Sequence, residues 1–158
     1  MTDTLEMRLG IISVKDAVDK YFKYYPDDIL TKLKITHKGP FYKYSFIGND
    51  GKNRHSLKLN AQTGDTIKSK TRILKRKDRS PARRDGKKIN LENMISFSEI
   101  NTIALDAVPA STPIRWKLKR KKIRTLWELE ITDERGANMY KVNLDAQNGK
   151  LLQFKLKT

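Results

Sequence analysis

Any catalysis by this chain would have to rest on His37, His55 and its carboxylates. It contains no cysteine, and therefore neither a thiolate nucleophile nor a thiolate metal ligand. The two histidines show no zinc-type spacing, and neither a nucleophile elbow nor a phosphate-cradling glycine loop occurs. His55 alternates with Leu57 and Leu59, which predicts an inward-facing structural histidine. The acidic pairs Asp27–Asp28 and Asp133–Glu134 fall at a helix end and a turn, where the expected role is turn formation and solvation. Asp145 precedes Gly149 in a turn, where a short carboxylate accepts backbone N–H bonds. Asn60 occupies the matching place before Gly64 and can do the same, which argues for geometry over charge. No catalytic residue, metal ligand or cofactor site is expected, and the chain reads as a binding protein, not an enzyme.

Cations are the other chemistry on offer. The net charge is +16, and it is concentrated. Ten Lys and Arg lie between Lys70 and Asn90 against Asp78 and Asp85, and seven lie between Arg115 and Arg124 with no acid. Focal positive charge is what acidic proteins and anionic polymers, nucleic acid or cell-wall polymer, recognise. The candidate partner-binding residues are Lys32, Lys34, Lys43 and Lys58 on polar strand faces. To these are added Lys75, Arg76, Lys77, Arg83 and Arg84 in a basic segment, and Arg115, Lys117 and Lys119 on a later strand. Two readings compete: the segment is a solvated connector, and the last three cations pair across a hairpin with Glu128 and Glu130. The aromatics Tyr42, Tyr44, Phe46, Trp116 and Trp127 alternate with polar residues, which predicts core positions and not a base-stacking platform.

The elements that must position these residues come in two similar sets. Ser13 opens a helical stripe of Val14, Ala17, Val18, Tyr21, Phe22 and Tyr25 that Pro26 ends. Ser96, with Glu99 three residues on, opens Phe97, Ile100, Ala104, Leu105 and Val108, ended by Pro109. Alternating stretches follow each: Leu33–Ile35, Tyr42–Phe46 and His55–Leu59, then Trp116–Leu118, Trp127–Ile131, Tyr140–Leu144 and Leu152–Leu156. Residues 51–64 lie over 136–149 at a spacing of 85, while Ile12-Ser13 and Pro26 lie over Ile95-Ser96 and Pro109 at 83. Two extra residues between helix and strands of the second copy account for the difference. The predicted class is α+β: two repeats of one helix packed on an antiparallel three- or four-stranded sheet. They span residues 11–70 and 91–158, joined by a basic linker at 71–90 and preceded by a tail at 1–10.

The run Tyr140-Lys141-Val142-Asn143-Leu144-Asp145-Ala146-Gln147-Asn148-Gly149 resembles the signature strand and turn of the PepSY family, and His55 to Gly64 resembles it with Asn60 in place of the usual Asp. The resemblance implies a small helix-plus-sheet module, often tandem, in bacterial secreted or membrane-attached proteins and in propeptides of thermolysin-like peptidases. It implies peptidase binding or inhibition and no catalytic residue, so an acidic protein or peptidase joins the anionic polymer as the expected partner. It also implies an extracytoplasmic location, with the cytoplasm as the alternative. Residues Met1 to Gly10 carry Asp3 and Glu6 without a basic and then apolar run, unlike a signal peptide.

Overall fold

The structure is a computed structural model that describes residues 4–108, 112–133, 136 and 138–157. Part of the segment expected as a tail forms a short helix, α1 (Leu5–Leu9), capped by Thr4. The Ser13 hydroxyl accepts from the Asp16 amide at 3.0 Å and opens α2 (Val14–Tyr24). Four strands follow: β1 (Ile29–Lys38), β2 (Phe41–Asn49), β3 (Asn53–Asn60) and β4 (Thr66–Ile73). A 3₁₀ turn at Arg76–Asp78 and α3 (Pro81–Lys87) lead to α4 (Phe97–Ala107), where Ser96 caps the Glu99 amide at 3.1 Å. The last strands are β5 (Thr112–Lys121), β6 (Arg124–Thr132), β7 (Met139–Asp145) and β8 (Leu151–Lys157). Pro109, expected to end the second helix, and Glu134 lie outside the described residues.

The expectation of two helix-on-sheet repeats is corrected by the pairing. All eight strands form one antiparallel sheet in the order β4-β3-β2-β1-β5-β6-β7-β8. Strands β1 and β5 pair directly, with Lys32 opposite Lys119 and Thr36 opposite Arg115. Alternation shows which side chains share a face, but says nothing about which strand edges meet. Two separate meanders would each leave this edge open, and pairing satisfies both ladders. On one face of the seam Leu33 opposes Leu118 and Ile35 opposes Trp116, all of them buried. Each such side chain is worth about 1.5–3 kcal/mol on burial, so the seam is as much core as either half.

Both longer helices cover that apolar face. Tyr21 of α2 stacks on Phe46 at 5.2 Å, and Phe97 of α4 meets Trp116 and Trp127 at 5.4 Å, within a single buried cluster. At one end of the sheet α3 packs beside β5 and lies against the other face, where Arg83, Arg84 and Lys87 line a small cavity with Ile47, Asn49 and Arg54.

Two local expectations also shift. The registers keep the spacing of 83 through β6, since Phe46 lies between Leu33 and Leu57 as Leu129 lies between Trp116 and Val142. The two extra residues therefore sit in the β6–β7 hairpin, not between helix and strands. Strand β4 has no apolar alternation to announce it, being exposed throughout, and it takes Lys70 and Arg72 into the sheet. The remaining basic segment is pinned across one end of the sheet. Leu74 and Ile89 are buried, and their amides donate to the Lys52 and Leu30 carbonyls at 2.8 and 2.9 Å.

Candidate functional site: the open face of the sheet

Every strand that presents apolar residues to the helices presents the alternate ones to the opposite face, and there the sequence is basic. In the first half this face carries Lys32 and Lys34 (β1), Lys43 (β2), Arg54 and Lys58 (β3), and Lys68, Lys70 and Arg72 (β4). Strands β1 to β4 contain no Asp or Glu at all. Neighbouring strands lie about 4.8 Å apart and alternate residues about 7 Å apart, so the cations form one basic grid across the four strands, interleaved with Thr36, Ser45, Ile47 and Ser56. The second half adds Arg115, Lys117 and Lys119 (β5), Lys141 (β7), and Lys155 and Lys157 (β8), but interleaves Glu128 and Glu130.

Those two carboxylates are heavily used. Glu128, 5% exposed, takes Lys119 at 3.0 Å and Lys117 at 3.9 Å and also binds Lys141. Glu130 takes Arg115 at 3.0 Å and Lys157 at 2.8 Å. Burial pushes the Glu130 carboxyl up, but the Lys157 hydrogen bond and the Arg115 charge bring it below the usual range. The pairing foreseen for Arg115, Lys117 and Lys119 is thus present, and it leaves the first half as the uncompensated part of the grid.

At the seam, Lys32 faces Lys119 and Lys34 faces Lys117. Like charges directly opposite each other destabilise a sheet. Burial, and then Lys117, Lys34, Lys119 and Arg54, hold the Lys32 ammonium below its ordinary value. Burial, and then Lys117 and Arg115, do the same for Lys34, with Glu130 opposing. Burial and Lys119 likewise lower Lys117. A repulsive row kept at the centre of a sheet is a local conflict of the kind that marks a functional surface.

The other candidate cations divide. Lys75, Arg76 and Lys77 are exposed. Arg83 leans on Asp78 at 3.6 Å, and Arg84 is half-buried with its Nε donating to Asn49 Oδ1 at 2.9 Å. Arg84 is therefore part of the packing that holds the segment to the β2–β3 end.

The turn residue Asp145 behaves as its geometry predicted. Its Oδ1 accepts from the Gln147 and Asn148 amides at 2.8 and 3.3 Å, as Asn60 accepts from Gln62 and Thr63 at 2.9 and 3.3 Å. Gly149 follows at φ 74°, and a Cβ there would meet Ile103 at 2.7 Å. The aromatics Tyr44, Phe46, Trp116 and Trp127 are buried, as alternation required.

Asp28 corrects the sequence reading. It is no solvated turn residue: its carboxylate accepts from the Tyr21 hydroxyl at 2.6 Å and lies 2.8 Å from His55 Nδ1, with its side chain 1% exposed. Tyr25 stacks on the His55 ring at 4.2 Å. The missed signal was His55 itself, since a histidine on an apolar strand face needs a buried partner. Asp50 completes a group whose ligand atoms lie within 4.8 Å of one another. The protein already satisfies these atoms: His55 is bound to Asp28, and Asp50 Oδ1 accepts from the Lys52 and Asn53 amides at 2.9 and 2.8 Å. The arrangement serves as a buried, structural hydrogen-bonded pair. On the helix side, a mostly apolar groove of about 710 Å³ runs between α2 and α4 with Trp127 among its lining residues.

Comparison with known proteins follows the same division. Residues 94–153, from just before α4 into β8, match the family described as Peptidase propeptide and YPEB domain, PepSY. A solved structure described as a "putative lipoprotein" from Clostridium difficile 630 has 21% sequence identity and a TM-score of 0.85. The alignment covers 92% of this chain and 93% of that one. Identity at this level shows a shared fold. No curated protein matches the chain.

Proposed function

We propose that this protein is a non-catalytic binding module that acts outside the cytoplasm and docks an anionic polymer on the open face of its sheet. The observation that carries the reading is the basic grid of β1 to β4, which holds no carboxylate and continues across a seam of opposed lysines. Cations spread over four neighbouring strands suit a partner with repeating negative charge better than one with a single acidic pocket. The PepSY match and the fold shared with a protein described as a lipoprotein support the extracytoplasmic placement. Shared caps at Ser13 and Ser96 and shared turns at Asn60 and Asp145 support reading the first half as a diverged relative of the matched region, merged into the same sheet.

The test titrates labelled long-chain polyphosphate and duplex DNA against the protein at several salt concentrations. Wild type should bind without sequence preference and with a steep salt slope. About five phosphate contacts give roughly −4 to −5 in log–log form on duplex DNA. Replacing Lys32, Lys34, Lys43 and Lys58 with Gln should flatten the slope more than replacing Lys75, Arg76, Lys77, Arg83 and Arg84. A greater loss from the second set would move the site to the basic segment, and no polyanion binding at any salt would end the reading.

Peptidase modulation is a second reading, favoured by the family match over the second half. It predicts inhibition of a thermolysin-like peptidase that survives the first-half substitutions.

A further inference from the structure

The sheet has two edges, and they are built differently. Edge strand β4 shows Ser69 and Thr71 to the helix side and Lys68, Lys70 and Arg72 to the open side, so it is polar on both faces. Its two exposed isoleucines sit apart, Ile67 at the bulge and Ile73 at the strand end. Such an edge discourages further pairing. Edge strand β8 instead shows Phe154 and Leu156 to the helix side, 47% and 46% exposed, with Leu151 also 47% exposed. Phe154 stacks on Tyr140 of β7 at 5.4 Å, so the apolar strip is ordered beneath its exposed rim. On the opposite face β8 carries Lys155 and Lys157. Lys157 folds inward onto Glu130 at 2.8 Å and does not guard the edge, while Lys155 forms no ion pair among the described residues.

We infer that the β8 edge accepts an extended segment of a partner protein in which apolar and acidic residues alternate. The reasoning is one of register. A strand added to β8 places its side chains directly opposite those of β8 on each face. Opposite Phe154 and Leu156 it needs apolar residues, and opposite Lys155, which has no ion pair among the described residues, it needs a carboxylate. Main-chain hydrogen bonds supply the attachment, and the alternating side chains supply the choice of partner. A second copy of this chain is disfavoured as the occupant, because two paired β8 edges would set Lys155 of one copy among the cations of the other on the same face. This surface is separate from the grid of the first half and stands whether or not a polymer binds there.

The experiment uses the full chain and three labelled eight-residue peptides: alternating valine and glutamate, the same composition in two blocks, and alternating valine and lysine. Fluorescence anisotropy at physiological salt should show binding of the first at least tenfold tighter than of either control. Phe154→Ser and Lys155→Glu should each weaken it at least fivefold, while Arg72→Glu on β4 should leave it within twofold. Circular dichroism checks the fold of each variant, and Phe154 is exposed enough to be replaced without a core penalty. Hydrogen exchange should show new protection at β8 amides and none at β4. Equal binding of the blocked peptide would mean that net charge alone holds it, and would overturn the inference. So would protection at β4, or a concentration-dependent dimer abolished by Phe154→Ser without peptide binding.

Discussion

The two halves of the sheet share a layout and differ in how they handle charge. In the second half, Glu128 and Glu130 thread the lysines together, and five ion pairs lie on the open face between β5 and β8. In the first half the strands carry cations only on that face, and the hydrogen-bonded pair of Asp28 and His55 is buried on the helix side. One half uses charge to hold its own strands together. The other keeps its charge uncommitted, at some expense in self-repulsion, and places its stabilising polar network where no solvent-borne partner reaches it. The matched family region coincides with the self-neutralised half. The uncompensated cations lie in the half outside the matched residues.

The largest effect expected is loss of the Asp28 carboxylate. Asp28→Ala strips Tyr21 and His55 of their shared acceptor in a buried place, which should cost about 3 kcal/mol. The informative part is where the damage is seen. Both tryptophans, Trp116 and Trp127, belong to the second half. If the β1–β5 ladder makes one cooperative unit, urea unfolding followed by tryptophan fluorescence should shift together with circular dichroism, although the change lies in the first half. A fluorescence midpoint left at the wild-type value would split the sheet into two independent units.

Next in size is Glu128→Gln, which leaves Lys117, Lys119 and Lys141 crowded without their common carboxylate. The cost should be about 2 kcal/mol, below that of a fully buried pair because the lysines keep contact with water. Lys34→Gln across the seam should do the opposite and leave stability unchanged or raise it by up to about 0.5 kcal/mol, since it removes a repulsion. Denaturant midpoints of the two variants, measured side by side, check the contrast. Equal destabilisation would mean that the first-half lysines are structural after all.

Much of this was legible in the sequence, and the failures have physical causes. Caps at Ser13 and Ser96 and the turns at Asn60 and Asp145 are local, set by hydrogen bonds within four residues. So they could be read directly. The inward aromatics followed from alternation. The joining of β1 to β5 could not be read, because a strand's sequence does not state which edge neighbours it. Strand β4 was not read as a strand, and its end was counted with the basic segment, because Lys68, Lys70 and Arg72 alternate with Ser69 and Thr71, a pattern with no apolar face. That slip hid the grid, since charge counted along the chain looked like a linker and charge counted across the sheet is a surface. Asp28 was passed over for a related reason: its partner His55 lies 27 residues away.

A smaller effect tests the basic segment against the sheet. Arg84→Gln removes a hydrogen bond to Asn49 and should cost about 1 kcal/mol, whereas Lys75→Gln should stay within about 0.5 kcal/mol of wild type. Thermal melts of the two variants give the answer. Matching melts would return Arg84 to the set of free cations.

The smallest effect expected is the response to alkaline pH, and its sign follows from the seam. Lys32, Lys34 and Lys117 are held below their ordinary value of 10.5 in the folded protein, by burial first and by neighbouring cations second. Over the window between the lowered values and 10.5, the unfolded chain binds more protons than the folded one, so stability rises with pH. Tyr21 and Tyr44 act in the other direction above about pH 10. Burial pushes their hydroxyls up from 10.0, and the unfolded chain then ionises first. Urea midpoints should therefore rise slightly as the pH approaches 10 and fall beyond it. The rise should stay well below about 1 kcal/mol, because these lysines remain partly solvated. In a variant with Lys32→Gln and Lys34→Gln the rise should flatten while the later fall is kept. A bound polyanion restores the lysine values, so binding within that window below 10.5 should take up protons, seen as a heat that varies with the ionisation enthalpy of the buffer. Proton uptake that persists undiminished in the double variant would place the anion away from the seam.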